Sequence, residues 1–390
     1  MFDVAVIGAG PTGSRVALKL AEMGRSVVVT DKKTSLLEPV CCTGIISLEC
    51  VDRFEIDKRV IIRHLPSATI YSPSGVALHL KTPEPLACVV DRPHLNLSLA
   101  RQAQAKGAEY ALGIAITDIT VRDDRVILGY DESKTIEARA VVIAAGSNAR
   151  LAEKIGLGEV GDFAMGVQAV VETTGLDETE VFIGRKTTPG MFAWLVPTIP
   201  GKALAGLLAR KRAGYYMKTL LVRLTEEKKI RSNEVKLSFS LVPLNVAAKT
   251  YARRVISVGS AAGQVKPTTG GGIYYGLLCA DIASASLNDA LEKDDLSSRS
   301  LSAYEKTWKK SLGREIQTAY WARKLFEKLS DRQMDNIIEI MNSRLVAEAM
   351  MESPDLSFDW HGKMVFNLVR HKALSGVFKK IKFPSNTRSV

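Results

Sequence analysis

The first thirty residues carry a hydrophobic pattern that is typical of a strand, a helix and a second strand. Residues 2–7 form a short apolar run, and residues 25–30 form another. Between these runs, residues 13–23 place apolar side chains at helical spacing. The pattern therefore predicts a βαβ unit at the start of the chain.

Beyond this unit, short strand-like stretches alternate with a few helical ones. A helix is predicted from Asp91 to Gly107 and another at 214–228, and almost everything beyond Ile273 has helical periodicity. The strand-like stretches lie at 67–72, at 76–81, within 112–145, within 163–244 and at 254–259. The sequence shows no internal repeat, and no clean linker separates these parts. We therefore expect interleaved segments rather than consecutive domains.

A glycine-rich turn joins the first strand to the first helix. In its G-x-G-x-x-G sequence, Gly8 permits the tight turn, Gly10 lets a pyrophosphate approach the backbone, and Gly13 lets helix and strand pack closely. Asp31 follows at the end of the second strand, where an acid can bind a ribose hydroxyl. Strand, turn, helix and acid together predict a dinucleotide-binding site.

A second glycine-rich turn lies far downstream, within residues 255–273. A buried strand leads into Gly259, and the run Gly271-Gly272-Ile273 begins a helix. Such a helix start places backbone N–H groups and a positive dipole end beside a ligand that carries negative charge. A reduced flavin, which is anionic at its N1/O2 edge, is such a ligand. This second turn therefore favours FAD as the dinucleotide.

Composition sets broad limits on these interpretations. The chain has 390 residues, of which 46% are hydrophobic and 24% charged, as expected for a globular protein with a sizeable core. Its five cysteines and five histidines show neither a disulfide framework nor metal-ligand spacing, which fits a reducing cytoplasm. We expect no secretion signal, no membrane span and no metal site. The net charge of +11 indicates an anionic partner, but no nucleic-acid-binding motif accompanies it.

Several stretches together resemble the geranylgeranyl reductase family, whose members are flavoproteins of the p-hydroxybenzoate hydroxylase structural class. The stretches are GAGPTGS, the acid at 31, CCTG at 41–44, DRPHL at 91–95 and GSAAGQVKPTTGGGI up to 273. The similarity covers about residues 1–290. It implies FAD as the cofactor and an α/β fold, in which a Rossmann-like FAD-binding domain carries an inserted β-sheet substrate domain and is followed by a helical C-terminal region.

We predict domain boundaries on this basis, with a discontinuous first domain. The FAD-binding domain takes residues 1–60, 88–150 and 245–290; the substrate-binding domain takes 61–87 and 151–244; and the helical region takes 291–390.

The resemblance gives a meaning to the adjacent cysteines Cys41 and Cys42. The family carries C-G-x-G here, in a segment against the flavin ring, so Cys41 corresponds to the family cysteine, Cys42 to the usual first glycine and Gly44 to the second. A thiol can pass a proton or position an alkene, which makes Cys41 the candidate catalytic residue. For Cys42, only the backbone is expected to lie near the flavin. The alternative is that both cysteines are small buried hydrophobic residues, as most free cysteines are.

The resemblance also implies cofactor roles for residues outside the two turns. Arg92 begins a helix, and the matching arginine approaches the dinucleotide, although a solvated arginine is the alternative. The backbone of Ile116 matches a position on the adenine side. Two positions depart from the family. Ser260 replaces an Asp that contacts the ribityl chain, so it offers a hydrogen bond without a charge, and Thr12 replaces an Ala beside the phosphates.

The stretch GMFAWLVP at 190–197 resembles the family's aromatic-x-Trp-x-apolar-Pro signature. Phe192 and Trp194 alternate, so on a strand both project to one face. There, together with Pro197, they would line a cavity for an apolar chain. Plain core packing is the alternative for the two aromatic residues, and flavin-dependent halogenases carry a comparable motif.

The activity that the resemblance implies is flavin-dependent saturation of C=C bonds in geranylgeranyl chains. These chains would belong to an archaeal-type glycerophospholipid or to geranylgeranyl diphosphate. The expected partners are the isoprenoid lipid substrate and an electron donor such as ferredoxin or NADPH. Two alternatives stay open: an FAD-dependent monooxygenase of the same fold, and a flavin-binding protein that has lost activity, toward which Ser260 points.

The last thirty residues, 361–390, mix apolar and basic positions as a basic amphipathic helix does. Such a helix can lie on an anionic membrane, where each cation adds about 1 kcal/mol. The alternative is a helix that packs on the protein with its basic face in water. We therefore expect a cytoplasmic protein that can contact a membrane peripherally.

Overall fold

The computed structural model describes residues 1–147, 150–158, 160–343 and 357–362. Within these residues the strands form three sheets. The strands are β1 (Phe2–Ile7), β2 (Val27–Asp31), β3 (Ile45–Ser47), β4 (Ile61–Leu65), β5 (Ser67–Tyr71), β6 (Ala77–Lys81), β7 (Ala87–Val90), β8 (Glu109–Leu112), β9 (Asp118–Val121), β10 (Val126–Tyr130), β11 (Lys134–Ile143), β12 (Phe163–Glu172), β13 (Thr179–Ile183), β14 (Phe192–Pro197), β15 (Lys202–Ala209), β16 (Ser238–Pro243), β17 (Tyr251–Ala252) and β18 (Val255–Ser257). The helices are α1 (Pro11–Glu22), α2 (Leu48–Arg53), α3 (Arg92–Ala105), α4 (Arg150–Lys154), α5 (Ala213–Glu226), α6 (Ile273–Glu292), α7 (Ser298–Trp308), α8 (Arg314–Phe326) and α9 (Asp331–Met341).

An eight-stranded sheet contains the βαβ unit that the sequence predicts. Its parallel core runs in the order β18-β11-β1-β2-β8, and β17, β10 and β9 add antiparallel strands. Val4 of β1 pairs with Val27 of β2, and Ile7 pairs with Ile143 of β11. Strand β1 lies in the interior of the sheet, so its apolar side chains are buried on both faces.

Helices pack on one face of this sheet, and a small antiparallel meander packs on the other. Val6 of β1 lies in one cluster with Leu20 of α1, Leu99 of α3 and Leu277 of α6. The next residue, Ile7, points the other way and packs with side chains of β9 and β10. In such an open parallel sheet, ligands bind at the carboxyl ends of the strands, where the turn into α1 lies.

A seven-stranded sheet is built from the middle of the chain. Its order is β16-β12-β15-β14-β13-β5-β6, and all neighbours are antiparallel except β13 and β5. Helix α5 covers one face, where Met217 and Leu221 pack with Ala205 and Leu207. The opposite face carries Phe192 and its neighbours. This second face, which we call the apolar face, lies against the second glycine-rich turn, where a Cβ on Gly270 would lie 2.9 Å from Val242.

A third, antiparallel sheet of β3, β7 and β4 lies beside the first. It includes β4 from the segment predicted as substrate-binding and β3 and β7 from segments predicted as FAD-binding. The division of the chain into domains stays a prediction.

The region after α6 is helical, and α7 continues into α8 through a π-helical turn at Lys309–Gly313. Residues 357–362 return to the turn that precedes α6, where Asp359 contacts Lys266. Most of the predicted basic amphipathic segment, residues 363–390, lies outside the described residues. Among those that are described, no helix combines the length and the apolar character needed to cross a membrane.

Candidate active site

The turn between β1 and α1 depends on two glycines for packing and on a third for access. A Cβ built on Gly13 would lie 1.8 Å from the carbonyl oxygen of Gly8, and one on Gly8 would lie 2.3 Å from that of Ala144. A Cβ on Gly10 would meet nothing within 4 Å. Gly8 and Gly13 therefore let the backbones approach, whereas Gly10 leaves open space in front of the helix start.

Asp31 fixes this turn from the end of β2. Its carboxylate accepts hydrogen bonds from the backbone N–H of Ala9, at 2.8 Å, and of Lys33, at 2.9 Å. The acid thus lies where the glycine-rich turn and the second strand meet. Its role toward a ribose stays a prediction.

The two glycine-rich turns, more than 240 residues apart in the chain, meet at Thr12. A Cβ on Gly259 would lie 2.8 Å from Thr12 Oγ1, and one on Gly276 would lie 2.4 Å from it. Thr12 therefore fills a notch between two glycines, which explains how this chain accommodates a threonine beside α6. Neither α1 nor α6 has a side-chain cap at its N-terminus, so both helix starts offer backbone N–H groups.

Ser260 lies beside the start of α6. A Cβ on Gly272 would come 3.2 Å from Ser260 Oγ, so the hydroxyl and the helix start are immediate neighbours. Gly271, Gly272 and Ile273 precede or begin the helix as the sequence predicts. Two uncapped helix starts and the open side of Gly10 fit an elongated, anionic dinucleotide such as FAD.

The cysteine loop at 41–44 packs against the edge of the seven-stranded sheet. The Cys41 thiol donates to the carbonyl oxygen of Ser238 in β16, at 3.4 Å, and the Thr43 hydroxyl donates to Gln168 Oε1 in β12, at 3.0 Å. Burial, with a smaller effect from Cys42, raises the pKa of Cys41 to about 11. Cys41 is therefore a thiol, not a thiolate, at neutral pH.

Cys42 and Arg92 contact each other through their side chains. Arg92 Nε donates to Cys42 Sγ at 3.3 Å, and its Nη1 donates to Asn96 Oδ1 at 3.2 Å. Gly44 has a φ of +74°, and a Cβ there would lie 2.6 Å from the carbonyl oxygen of Val90. The loop thus holds the arginine at the start of α3, a contact that the sequence does not reveal.

Ile116 lies apart from these groups. It belongs to the connection between β8 and β9, and its side chain packs into the apolar cluster on the meander side of the eight-stranded sheet. Only its backbone could serve the predicted cofactor contact.

Phe192 and Trp194 share the apolar face, with ring centroids 5.7 Å apart. They pack with Leu208 and Val242 of the same face. Pro197 follows the opposite parity and pairs with Ala203, whose side chain belongs to the cluster under α5. The structure therefore brings together the two aromatic residues but does not place Pro197 with them.

The family model described as lycopene cyclase protein matches residues 3–345. The chain belongs to this family. A relative from Methanothrix thermoacetophila named digeranylgeranylglycerophospholipid reductase is 29% identical over 363 residues, which cover 89% of this chain and 93% of the relative. Such relatives confirm the resemblance to geranylgeranyl reductases.

Solved structures agree on the fold of this lycopene cyclase family member. A geranylgeranyl bacteriochlorophyll reductase-like protein from Thermoplasma acidophilum matches with a TM-score of 0.86 and 21% identity, over 97% of this chain and 98% of that protein. A p-nitrophenol 4-monooxygenase from Pseudomonas putida matches with a TM-score of 0.72 and 18% identity, over 90% and 96%. The predicted α/β fold of the p-hydroxybenzoate hydroxylase class is confirmed.

Sequence reasoning missed several residues that shape the site in this family member. Gln168 and Ser238 hold the cysteine loop, and the buried Arg323 donates to the carbonyl oxygens of Pro267 and Gly190. One signal was available. Gly206, a lone glycine inside a strand, indicates close approach by another group, and Trp194 is that group.

Proposed function

We propose that the protein is an FAD-dependent reductase that saturates C=C bonds of geranylgeranyl chains in isoprenoid lipids. One structural observation supports this proposal independently of the names of the relatives. The Cys41 thiol donates a hydrogen bond to the carbonyl oxygen of Ser238 in β16. A Cβ on Gly270, just before α6, would lie 2.9 Å from Val242 of the same strand. The thiol, the second glycine-rich turn and the apolar face therefore converge on one sheet edge.

FAD is the cofactor that these residues would hold. The start of α1 at Gly10 and Gly13 suits its pyrophosphate, and Asp31 suits a ribose. Ser260 and the start of α6 suit the flavin end. Reduced FAD, when bound, supplies a hydride to one carbon of a double bond.

The chain's own residues supply the proton and the surroundings. An isolated trisubstituted alkene accepts hydride poorly, so the proton arrives first or in the same step. Cys41, or a water held near it, delivers that proton to the other alkene carbon; its raised pKa keeps the thiol protonated throughout the neutral range. Phe192 and Trp194 present apolar surface to the prenyl chain and exclude water.

The finer partner assignments belong to the same proposal. The substrate is a geranylgeranyl glycerophospholipid or geranylgeranyl diphosphate, and the electron donor is ferredoxin or NADPH. Peripheral membrane contact is supported by an exposed apolar edge beside the site. Phe239 and Leu241 of β16 are 53% and 45% exposed on the α5 face, and they follow Ser238, the partner of Cys41, along the strand. Exposed apolar side chains of this kind are typical of surfaces that contact a membrane.

An anaerobic turnover experiment tests the function. The purified protein is reduced with dithionite, mixed with a geranylgeranyl glycerophospholipid, and followed by flavin absorbance and by mass spectrometry of the lipid. We expect flavin reoxidation and a gain of two mass units per reduced double bond, and no reoxidation with the fully saturated lipid of the same head group. Flavin that reoxidises only with oxygen and an aromatic substrate would establish a monooxygenase instead. A protein that cannot take up FAD would refute the proposal.

A further inference from the structure

A buried ion pair lies behind the second glycine-rich turn. Lys266 Nζ donates to Asp359 Oδ1 at 2.8 Å and to the carbonyl oxygen of Phe358 at 3.0 Å. Lys266 is 5% exposed and Asp359 is 1% exposed. The other carboxylate oxygen of Asp359 has no hydrogen-bond partner among the described residues. Removing two charges from water is costly, so a pair of this kind contributes little net stability and calls for another explanation.

The lysine lies directly against the backbone that leads into α6. Its N–H donates to the carbonyl oxygen of Gly271 at 2.9 Å, and its own carbonyl oxygen accepts from Gly270 at 2.7 Å. A Cβ on Gly271 would lie 2.8 Å from Lys266 Cε and 3.5 Å from its Nζ. The ammonium group therefore lies close to this helix start, and Asp359 holds it there through their contact.

The groups around the pair hold it in place without neutralising it. His361 donates through Nε2 to the carbonyl oxygen of Phe358 at 2.9 Å, and its Nδ1 shares a hydrogen bond of 2.6 Å with the Thr268 hydroxyl. Burial, followed by the charge of Lys266, lowers the pKa of His361 to about 4, so the ring is neutral at pH 7. Glu315 accepts from the backbone N–H groups of His361 and Gly362. Nearby, burial raises the pKa of Cys50, and the charge of Asp359 raises it further, so this thiol is neutral too.

Arg323 fixes the same turn from α8. It donates to the carbonyl oxygens of Pro267 and Thr268, and it also donates to Gly190 ahead of β14. The helical C-terminal region thus holds residues 266–268 through Arg323, Asp359 and His361. The sequence of this region carries no motif that indicates a role at the cofactor, yet the region fixes the turn next to the proposed flavin.

We propose that Lys266, held by Asp359, is a positioning residue that favours the reduced, anionic form of FAD at the start of α6. This inference rests on the proposed function. The positive member of the pair contacts the backbone at the helix start through Gly270 and Gly271, so its charge adds to the positive end of the helix dipole. Charge close to the N1 side of a flavin is one of the means by which proteins set its potential.

The test separates charge from packing. In Lys266→Met the lysine charge is lost, and in Lys266→Met/Asp359→Leu the whole pair is replaced by apolar groups of similar size. The readouts are the midpoint potential of bound FAD, the FAD dissociation constant, and the melting temperature of the apoprotein. A matched control is Lys229→Met/Glu180→Leu, which removes an ion pair of 2.6 Å under the other face of the seven-stranded sheet.

We expect the double variant at 266 and 359 to melt near the wild-type temperature and yet to hold reduced FAD, relative to oxidised FAD, at least tenfold more weakly. For a two-electron couple this corresponds to a potential about 30 mV lower. The control pair should leave the potential unchanged. A stable double variant with the wild-type potential would show that the pair only packs, and would overturn the inference while leaving the reductase proposal intact. A wild-type protein without FAD affinity would overturn both.

Discussion

The indole of Trp194 rests against Gly206, its partner on the adjacent strand. The two residues pair across β14 and β15, and a Cβ on Gly206 would come within 2.5 Å of Trp194 Cζ2 and 2.8 Å of Nε1. The position of the indole on the apolar face therefore depends on the missing side chain opposite it. Since we propose that the prenyl chain binds on this face, we expect Gly206 to control how well the substrate fits.

Substitution of Gly206 by alanine is expected to push the indole outward over the apolar face. Overpacking of this kind costs about 1–3 kcal/mol of stability. We expect the KM for the lipid to rise by about tenfold, while the FAD dissociation constant stays unchanged, because the atoms nearest to a Cβ on Gly206 all belong to Trp194. The matched control is Gly214→Ala in α5, where a Cβ would lie 3.8 Å from its nearest neighbour. An unchanged KM in a folded Gly206→Ala protein would contradict a substrate role for this face.

The glycines of the first turn allow a second comparison. Gly13→Ala places a Cβ 1.8 Å from the carbonyl oxygen of Gly8, so the apoprotein should lose several degrees of melting temperature or fail to fold. Gly10→Ala meets nothing within 4 Å and has a φ of −73°, which alanine adopts freely. We expect its apoprotein to melt like wild type but to bind FAD at least tenfold more weakly, by fluorescence titration. Normal FAD affinity in Gly10→Ala would argue against pyrophosphate binding at this turn.

Local patterns predicted much of the fold. The apolar run at 2–7 became β1, and the helix expected from residue 13 begins two residues earlier, at Pro11, because a proline's fixed φ suits the first helical turn. The strand at Glu109–Leu112 begins before the predicted stretch, since its short, mixed sequence carries little alternation. For Pro197, the motif suggested a role beside Trp194, but strand parity, available from the sequence, puts it on the other face.

Contacts between distant segments could not be read from the chain. Arg92 meets Cys42 across 50 positions, and Lys266 meets Asp359 across 93. Periodicity assigns a residue to a face of its own element, but it does not say which other element will cover that face. Motif resemblance helped with residues near the cofactor turns, whereas the segment around Asp359 carries no motif at all.

The protonation state of the Cys41 thiol can be tested by chemical labelling. A thiol with a pKa of about 11 carries on the order of 100-fold less thiolate at pH 8 than an ordinary cysteine. We therefore expect iodoacetamide to alkylate Cys41 slowly at pH 8 and much faster above pH 10, as measured by peptide mass spectrometry. Rapid labelling at pH 8 would show that the thiol is not held as described.

Removal of the Cys41 thiol should affect turnover rather than cofactor binding. General-acid groups contribute about 10²- to 10⁴-fold, so Cys41→Ala should lower kcat by about 100-fold with little change in FAD affinity. Cys41→Ser keeps a donor for the Ser238 carbonyl oxygen and should recover part of the rate. The control is Cys279→Ala within α6, whose turnover should match wild type. If Cys41→Ala turns over normally, water alone supplies the proton.

The half-buried His361 should make stability depend on pH. Burial, followed by the nearby charge of Lys266, lowers its pKa from an ordinary value of 6.5 to about 4 in the folded protein. Above pH 6.5 the ring is neutral in both the folded and the unfolded state. Between pH 6.5 and pH 4 the unfolded chain binds a proton that the folded protein excludes, so the free energy of unfolding falls as the pH falls, by up to about 3 kcal/mol.

Urea unfolding of the apoprotein at pH 7, 6, 5 and 4.5 measures this dependence, and His361→Gln isolates the histidine. Glutamine keeps an N–H donor for the Phe358 carbonyl oxygen but does not titrate, so the variant should be less stable at pH 7 and should lose less stability on acidification than wild type. The carboxylates of the protein contribute equally to both curves and cancel in the difference. His64→Gln, at an exposed position of β4, should follow the wild-type curve. Parallel curves for wild type and His361→Gln would mean that the ring takes up a proton equally well in the folded and unfolded states, which would contradict the lowered pKa of His361.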